Sequence, residues 1–161
     1  MKVSSGIHSI LTYKTNRKDG SRMKYKDLKN RQSVEVNSFP MAFAFNEQQF
    51  TEGLQKLGVD PCSYRENIVD IGGGGFIRKT DEPEFSAMFL RHKQEMQEAM
   101  LDDGFMLDAF AYELSNHEYC ITGDPTDTLV ALNVHMPIGD SRTLGIFAKA
   151  KEQYLESVEG W

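Results

Sequence analysis

The segment 113–119 holds the residues best suited to acid–base chemistry. Glu113 and His117 are four positions apart, a spacing that places both side chains on one face of a helix. A histidine oriented by a carboxylate can act as a general base and is also common in metal sites. With Tyr119 close by and His92 in the preceding helical segment, the candidate catalytic residues are Glu113, His117, Tyr119 and His92.

The same pair has a plainer interpretation. A zinc-binding HExxH motif would need a histidine at position 121, where the chain has Ile121. A Glu–His pair is also typical of a polar cluster at the end of a helix, where the helix dipole favours a protonated histidine. The sequence therefore leaves open a small hydrolase or nuclease, of the ribonuclease-like phosphodiester hydrolase type, and a protein without catalysis. It indicates no metal and no cofactor.

Four consecutive glycines at 72–75 form the second candidate site. Glycine loses more conformational entropy on folding than other residues, so the run indicates positive φ angles or a close backbone approach. One interpretation is a nest of backbone N–H groups that binds an anion or a nucleic-acid phosphate; the others are a structural bulge and a hinge. The dinucleotide and P-loop motifs both fail, because Phe76 and Ile77 follow. The candidate anion-binding residues here are Gly72, Gly73, Gly74, Gly75, Arg78 and Lys79.

Charge is distributed unevenly along the chain. The net charge is −6, but residues 1–31 alone carry nine basic and two acidic side chains, or +7, which leaves −13 for the rest. Such a basic arm can bind nucleic acid or an acidic partner, or it can be a solvated tail, and the acidic body can imitate nucleic-acid phosphates. The arm's candidate nucleic-acid-binding residues are Lys14, Arg17, Lys18, Arg22 and Lys24.

The elements that position these residues follow from hydrophobic spacing and capping. Phe39, Met41, Phe43 and Phe45 alternate with other residues, which predicts a strand with these four side chains on its buried face. The next segment predicts a helix with an asparagine N-cap, a capping-box glutamine and a C-terminal glycine, at Asn46, Gln49 and Gly58. Residues 68–78 predict either one strand interrupted at the glycines or two strands.

Two longer helices are predicted on either side of the Asp102-Asp103-Gly104 turn, at 82–101 and 105–118. The short turn predicts an antiparallel hairpin, which would bring His92 to the height of His117. Residues 120–121 predict a short strand, and two further helices follow. Residues 22–35 predict a polar helix that packs weakly because it has few apolar residues.

The predicted class is α+β, a predominantly helical single domain with a small sheet of two to four short strands. A chain of 161 residues fits one domain. Within it we distinguish a basic N-terminal arm and helix, residues 1–36, and an α+β core, residues 37–161. No apolar run is long enough to span a membrane and no signal peptide is evident, so we expect a cytoplasmic protein with reduced cysteines.

Three strings of the sequence resemble a known family. They are AFAFNEQQFTEGL at 42–54, IGGGGFIRKTD at 71–81 and YELSNHEY at 112–119. Together, over residues 24–133, they resemble a family of small proteins without assigned chemistry, found in bacteria and on their phages and plasmids. Small acidic proteins of such mobile elements include inhibitors of host defence, such as anti-CRISPR proteins.

The resemblance implies an inhibitor of a bacterial defence ribonucleoprotein, with a Cas-type effector protein or its guide RNA as the partner. Inhibition would arise from binding the effector or from interference with its guide RNA or target DNA. The alternatives from the residues themselves are the Glu113–His117 hydrolase, with substrate phosphate at the glycine run, and a non-catalytic protein-interaction module.

Overall fold

A computed structural model describes residues 22–159, and the statements below concern this part of the chain. It contains eight α-helices and one small sheet, which confirms a predominantly helical α+β domain. The strands are β1 (Ala42–Phe43), β2 (Ile68–Gly72) and β3 (Gly75–Arg78). The helices are α1 (Tyr25–Ser38), α2 (Glu47–Leu57), α3 (Tyr64–Asn67), α4 (Glu82–Ala99), α5 (Asp103–Asn116), α6 (Tyr119–Thr122), α7 (Thr126–Ala131) and α8 (Ser141–Glu159), with a 3₁₀ turn at Lys79–Asp81 before α4.

The glycine run forms the turn of a β-hairpin. The sheet is antiparallel with the order β1-β3-β2, and the loop between β2 and β3 consists of Gly73 and Gly74. Their φ angles are 60° and 76°, the pair of positive values that a two-residue type I′ turn requires. Of the sequence alternatives, two strands is therefore confirmed, with a register shift between Asp70 and Gly72.

Alanine at position 74 should destabilise this hairpin by about 1 kcal/mol, because an L-residue is disfavoured at positive φ. The added Cβ would also lie 2.9 Å from the Ala44 carbonyl oxygen, a backbone atom that cannot move aside easily. Urea unfolding of Gly74→Ala measures the loss. Gly139→Ala is the control, because a Cβ there meets no atom within 4 Å; equal stability of both variants would contradict the turn assignment.

The predicted buried face of the first strand is wrong at two of its four positions. Met41 is buried and Phe39 is partly buried, as predicted, whereas Phe43 and Phe45 are 52% and 78% exposed. Ala42, predicted to face outward, is buried. Ala42 lies opposite Phe76 of the central strand, under helix α2. A Cβ on Gly53 of α2 would lie 2.9 Å from the Ala42 Cβ, so this close approach leaves room for a small side chain only. Phe43 and Phe45 consequently face outward.

Helix α2 begins and ends where the sequence predicts. The Asn46 side chain accepts a hydrogen bond from the Gln49 backbone N–H at 2.8 Å, and the Gln49 side chain accepts one from the Phe45 N–H at 2.8 Å. Gly58 follows the helix in the left-handed conformation, with φ 66°. Leu54 and Leu57 on its inner face pack with Phe76 and its neighbours. These caps confirm the local prediction.

Helix α5 is the centre of the larger core. It packs against α8, α1 and α7, so the predicted hairpin between α4 and α5 is wrong. The predicted strand at 120–121 is also wrong, because these residues belong to the short helix α6. Apolar residues around several sides of α5 give it several helical neighbours instead of one. This core consists of Met106, Phe110, Leu114, Leu129, Phe147 and Ala150.

Helix α1 is packed more firmly than its polar sequence predicts. Tyr25 and Leu28 are almost completely buried and pack with Phe105 and Ala109 of α5. The Tyr25 and Phe105 rings meet edge to face, with centroids 5.9 Å apart. Residues 22–36 of the predicted arm thus include most of α1, and residues 1–21 lie outside the described residues. The division into arm and core stays a prediction.

Among the described helices, none has the length and apolar character needed to cross a membrane.

Candidate functional site

Glu113 of α5 is a fully buried carboxylate that receives hydrogen bonds from two helices. From α1, the Tyr25 hydroxyl and the Lys29 ammonium donate to Oε1 at 2.5 Å and 2.7 Å. From α5 itself, the Asn116 side-chain amide donates to Oε2 at 3.1 Å. The Lys29 Nζ also lies 5.3 Å from the ring centroids of Tyr25 and Tyr112. These residues, the Glu113 cluster, join α1 to α5.

The surroundings of Glu113 favour its ionised form. Burial alone raises its pKa and is the largest single effect, but the hydrogen bond and charge of Lys29 and the bonds from Tyr25 and Asn116 together lower the pKa below its usual value. Burial and the bond to Glu113 in turn raise the pKa of Tyr25, so its hydroxyl stays protonated and donates. A carboxylate that is buried and weakly basic is poorly suited to accept a substrate proton.

The lowered pKa of Glu113 predicts a loss of stability in acid. A depressed carboxyl pKa contributes stability that is complete above the unfolded-state value of about 4.5 and disappears as pH falls through the folded-state value. Glu113→Gln should therefore remove part of the decline in unfolding free energy below that pH. Urea titrations from pH 7 to pH 3 measure it, with Glu156→Gln on the exposed side of α8 as control. Parallel curves for Glu113→Gln and the unchanged protein would contradict this linkage.

The structure brings His117 next to Glu113, as the spacing predicts. The His117 Nε2 lies 3.4 Å from the Glu113 Oε2 and is buried, yet its orientation makes no hydrogen bond with the described residues. The His117 backbone N–H donates to the Glu113 carbonyl at the end of α5. The pair is thus close in space, and its catalytic role stays a prediction.

His92 and Tyr119 contact residues other than Glu113 and His117. His92 is buried on α4, where its Nε2 lies 2.7 Å from the Glu35 Oε2 of α1. Arg91 pairs with the other oxygen of Glu35. Tyr119 begins α6 and packs near Tyr154 of α8, with ring centroids 6.5 Å apart. The predicted approach of His92 to His117 fails because α4 faces α1 instead of pairing with α5.

A series of polar contacts runs along α1. Three residues before α1, Arg22 pairs with Asp102 at 2.6 Å, and near the middle of the helix Arg31 pairs with Glu95 at 2.9 Å. The Tyr25 backbone N–H donates to the Asp108 carboxylate at 2.8 Å. Lys29 and Arg31 of α1 thus pair with carboxylates of α5 and α4. At Glu35 the charges are reversed, because the carboxylate is on α1 and its basic partners are on α4. The predicted nucleic-acid-binding residue Lys24 is exposed just before α1, and Lys14, Arg17 and Lys18 lie outside the described residues.

Two of the predicted anion-binding residues at the glycine hairpin donate to carboxylates of the protein. The Gly72 N–H donates to the Asp70 carboxylate at 2.6 Å. The Arg78 Nε donates to Asp81 at 2.7 Å, and Lys79 lies in the 3₁₀ turn. Anion binding by Gly72 to Gly75, Arg78 and Lys79 stays a prediction. Residues 22–159 contain no group of three or more His, Cys, Asp or Glu side chains arranged for a metal, and both cysteines are exposed thiols.

A family model matches residues 24–153. The chain belongs to this family, DUF7659, a family of unknown function. The match extends beyond residue 133, where the resemblance of the three strings ends, and includes most of α8. It covers every member of the Glu113 cluster, so the DUF7659 region contains α1 as well as the core. No curated protein and no solved structure matches the chain.

One long stretch of the sequence, residues 94–141, is acidic. Residues 94–141 contain ten aspartates and glutamates and no lysine or arginine. Four of the ten form ion pairs with arginine or lysine side chains, namely Glu95, Asp102, Asp103 and Glu113. Others accept hydrogen bonds at helix starts, as Asp140 does for α8. Glu98, Glu118 and Asp127 are exposed and make no ion pair within the described residues.

Proposed function

We propose that the protein is a non-catalytic binding protein that inhibits a bacterial defence ribonucleoprotein by occupying a basic surface of its effector. The observation that carries the proposal is the acidic stretch 94–141. Four of its carboxylates form ion pairs, whereas Glu118 and Asp127 are exposed and form none among the described residues. Exposed carboxylates without partners attract lysine- and arginine-rich grooves that otherwise hold nucleic-acid phosphates.

The choice of partner rests on the resemblance to proteins of phages and plasmids. Within that setting the partner is a Cas-type nuclease with its guide RNA, in the bacterial cytoplasm. The acidic surface supports contact with the effector protein, because a protein groove that binds RNA or DNA is basic. Competition with target DNA is then the simplest mode of inhibition, since both ligands need the same positive charges.

The test uses guide-loaded Cas nucleases from bacteria that carry such phages or plasmids. The protein should remain bound in a pull-down and should reduce DNA cleavage, and rising salt should weaken the complex. Glu118→Lys with Asp127→Lys should abolish inhibition, whereas Glu47→Lys with Glu52→Lys on α2 should leave it unchanged. No retained complex and undiminished cleavage with every effector would overturn the proposal.

A hydrolase is the second candidate, favoured by the His117 Nε2 that has no hydrogen-bond partner next to Glu113. Labelled RNA and DNA are incubated with the protein and with His117→Ala. The binding proposal expects no turnover by either protein. Turnover that His117→Ala abolishes would instead establish the Glu113–His117 pair as catalytic and remove the proposal of a non-catalytic protein.

A further inference from the structure

A groove of about 550 Å³ lies between the start of α5 and the outer face of α8. Its lining is more basic than the described residues as a whole. Within residues 22–159, acidic side chains outnumber basic ones by 23 to 14. Yet three cations and one carboxylate line this groove. Its lining residues are Arg22, Asp103, Gly104, Leu107, Arg142, Gly145, Ile146 and Lys149.

The two arginines are held in place and keep donors to spare. Arg142 donates from Nε to Asp103 at 2.8 Å and from Nη2 to the Leu101 carbonyl at 2.7 Å. Arg22 donates from Nη2 to Asp102 at 2.6 Å. A guanidinium has five N–H donors, so both side chains can still bind an anion, and their ion pairs fix them in advance. Lys149 is exposed and has no ion-pair or hydrogen-bond partner among the described residues.

Two glycines shape the groove. A Cβ on Gly104 would lie 1.9 Å from the Arg22 Nη1, so the guanidinium rests directly on the glycine backbone at the start of α5. A Cβ on Gly145 of α8 would meet no atom within 4 Å, which leaves the floor open. Leu107 and Ile146 add an apolar wall. Cations beside an apolar wall suit a ligand that combines an anionic group with a flat, weakly polar body.

We propose that this groove binds a nucleotide phosphate, with Lys149, Arg22 and Arg142 around the phosphate and the sugar or base against Leu107 and Ile146. Asp102 and Asp103 already pair with Arg22 and Arg142. The net positive charge of the groove therefore comes from Lys149. The site goes beyond the proposed function, since it needs no effector. The nucleotide can be free or part of an RNA strand.

The experiment titrates the isolated protein with AMP, followed by NMR, and with a fluorescein-labelled U8 RNA, followed by anisotropy, both in 100 mM NaCl. Lys149→Glu should weaken binding at least about 10-fold, as expected when one phosphate contact becomes repulsive. Lys151→Glu makes the same charge change on α8 outside the lining and should weaken binding less than about 2-fold. Gly145→Leu should also weaken binding, because it fills the groove without a change of charge and in a residue type that helices favour.

The two probes separate the sources of the nucleotide. Binding of AMP with shifts confined to the groove assigns a free nucleotide, and binding of U8 alone assigns an RNA strand; either supports the site. Equal losses for Lys149→Glu and Lys151→Glu would overturn it, as would no binding of either probe up to 5 mM AMP or about 100 μM U8. Circular dichroism melting curves confirm that each variant is folded. Failure here leaves the effector pull-down unaffected, so the two proposals fail separately.

Discussion

Replacing Lys29 with methionine should lower the free energy of unfolding by about 2 kcal/mol. Removal of one partner from a buried ion pair typically costs about 3–5 kcal/mol, because the remaining charge is left without compensation. The Lys29 side chain is 40% exposed, so water reaches the vacated position and reduces the loss. Glu113 is fully buried and keeps only Tyr25 and Asn116 as hydrogen-bond donors. Urea unfolding at pH 7 measures the change.

Lys26→Met is the matched control for this substitution. Lys26 is exposed on the same helix and makes no ion pair among the described residues. Its replacement should change the unfolding free energy by less than about 0.5 kcal/mol, as is usual for surface positions. If Lys29→Met costs no more than Lys26→Met, the 2.7 Å contact does not hold α1 to α5.

Phe110→Ala should cost about 4 kcal/mol of unfolding free energy, since large-to-small substitutions of buried phenylalanine lose both burial and packing. Phe110 is completely buried on α5, and its ring centroid lies 5.2 Å from that of Phe147 on α8. The cavity would open between α5 and α8, which pack against each other in the larger core. Thermal and urea unfolding should both report the loss.

Val130→Ala provides the comparison for the core substitution. Val130 lies on α7 and is 70% exposed, so its truncation removes little buried surface. We expect a change below about 0.5 kcal/mol. Similar losses for Phe110→Ala and Val130→Ala would mean that α5 and α8 do not form the main core.

Features set by neighbouring residues could be predicted from the sequence. The caps of α2 depend on Asn46, Gln49 and Gly58, all within one helix, and the glycine hairpin depends on positive φ angles that few other residues adopt. The buried face of β1 could not be predicted in the same way. It depends on how closely Gly53 of α2 approaches Ala42, a tertiary distance that alternation along one strand does not contain.

At the candidate site, the local pair Glu113–His117 could be predicted from the sequence, but the distant partners of Glu113 could not. The i, i+4 spacing places His117 beside Glu113, and the structure agrees. Tyr25 and Lys29, the residues that bind the Glu113 carboxylate most closely, lie 88 and 84 positions earlier in the chain. For Lys29 the sequence signal is the opposite charge of the two segments, and for Tyr25 there is none. Arg22, Lys29 and Arg31 of the basic segment form ion pairs within the protein, and nucleic-acid binding by this segment stays a prediction.

We infer that the Glu113 cluster holds α1 on α5. A double-mutant cycle of Lys29→Met and Glu113→Gln tests it most directly, because it isolates the coupling between the two side chains from their other contacts. Urea unfolding of the four proteins at pH 7 should give a coupling free energy of about 1.5 kcal/mol or more. A coupling below about 0.3 kcal/mol, the level found for independent sites, would contradict the claim.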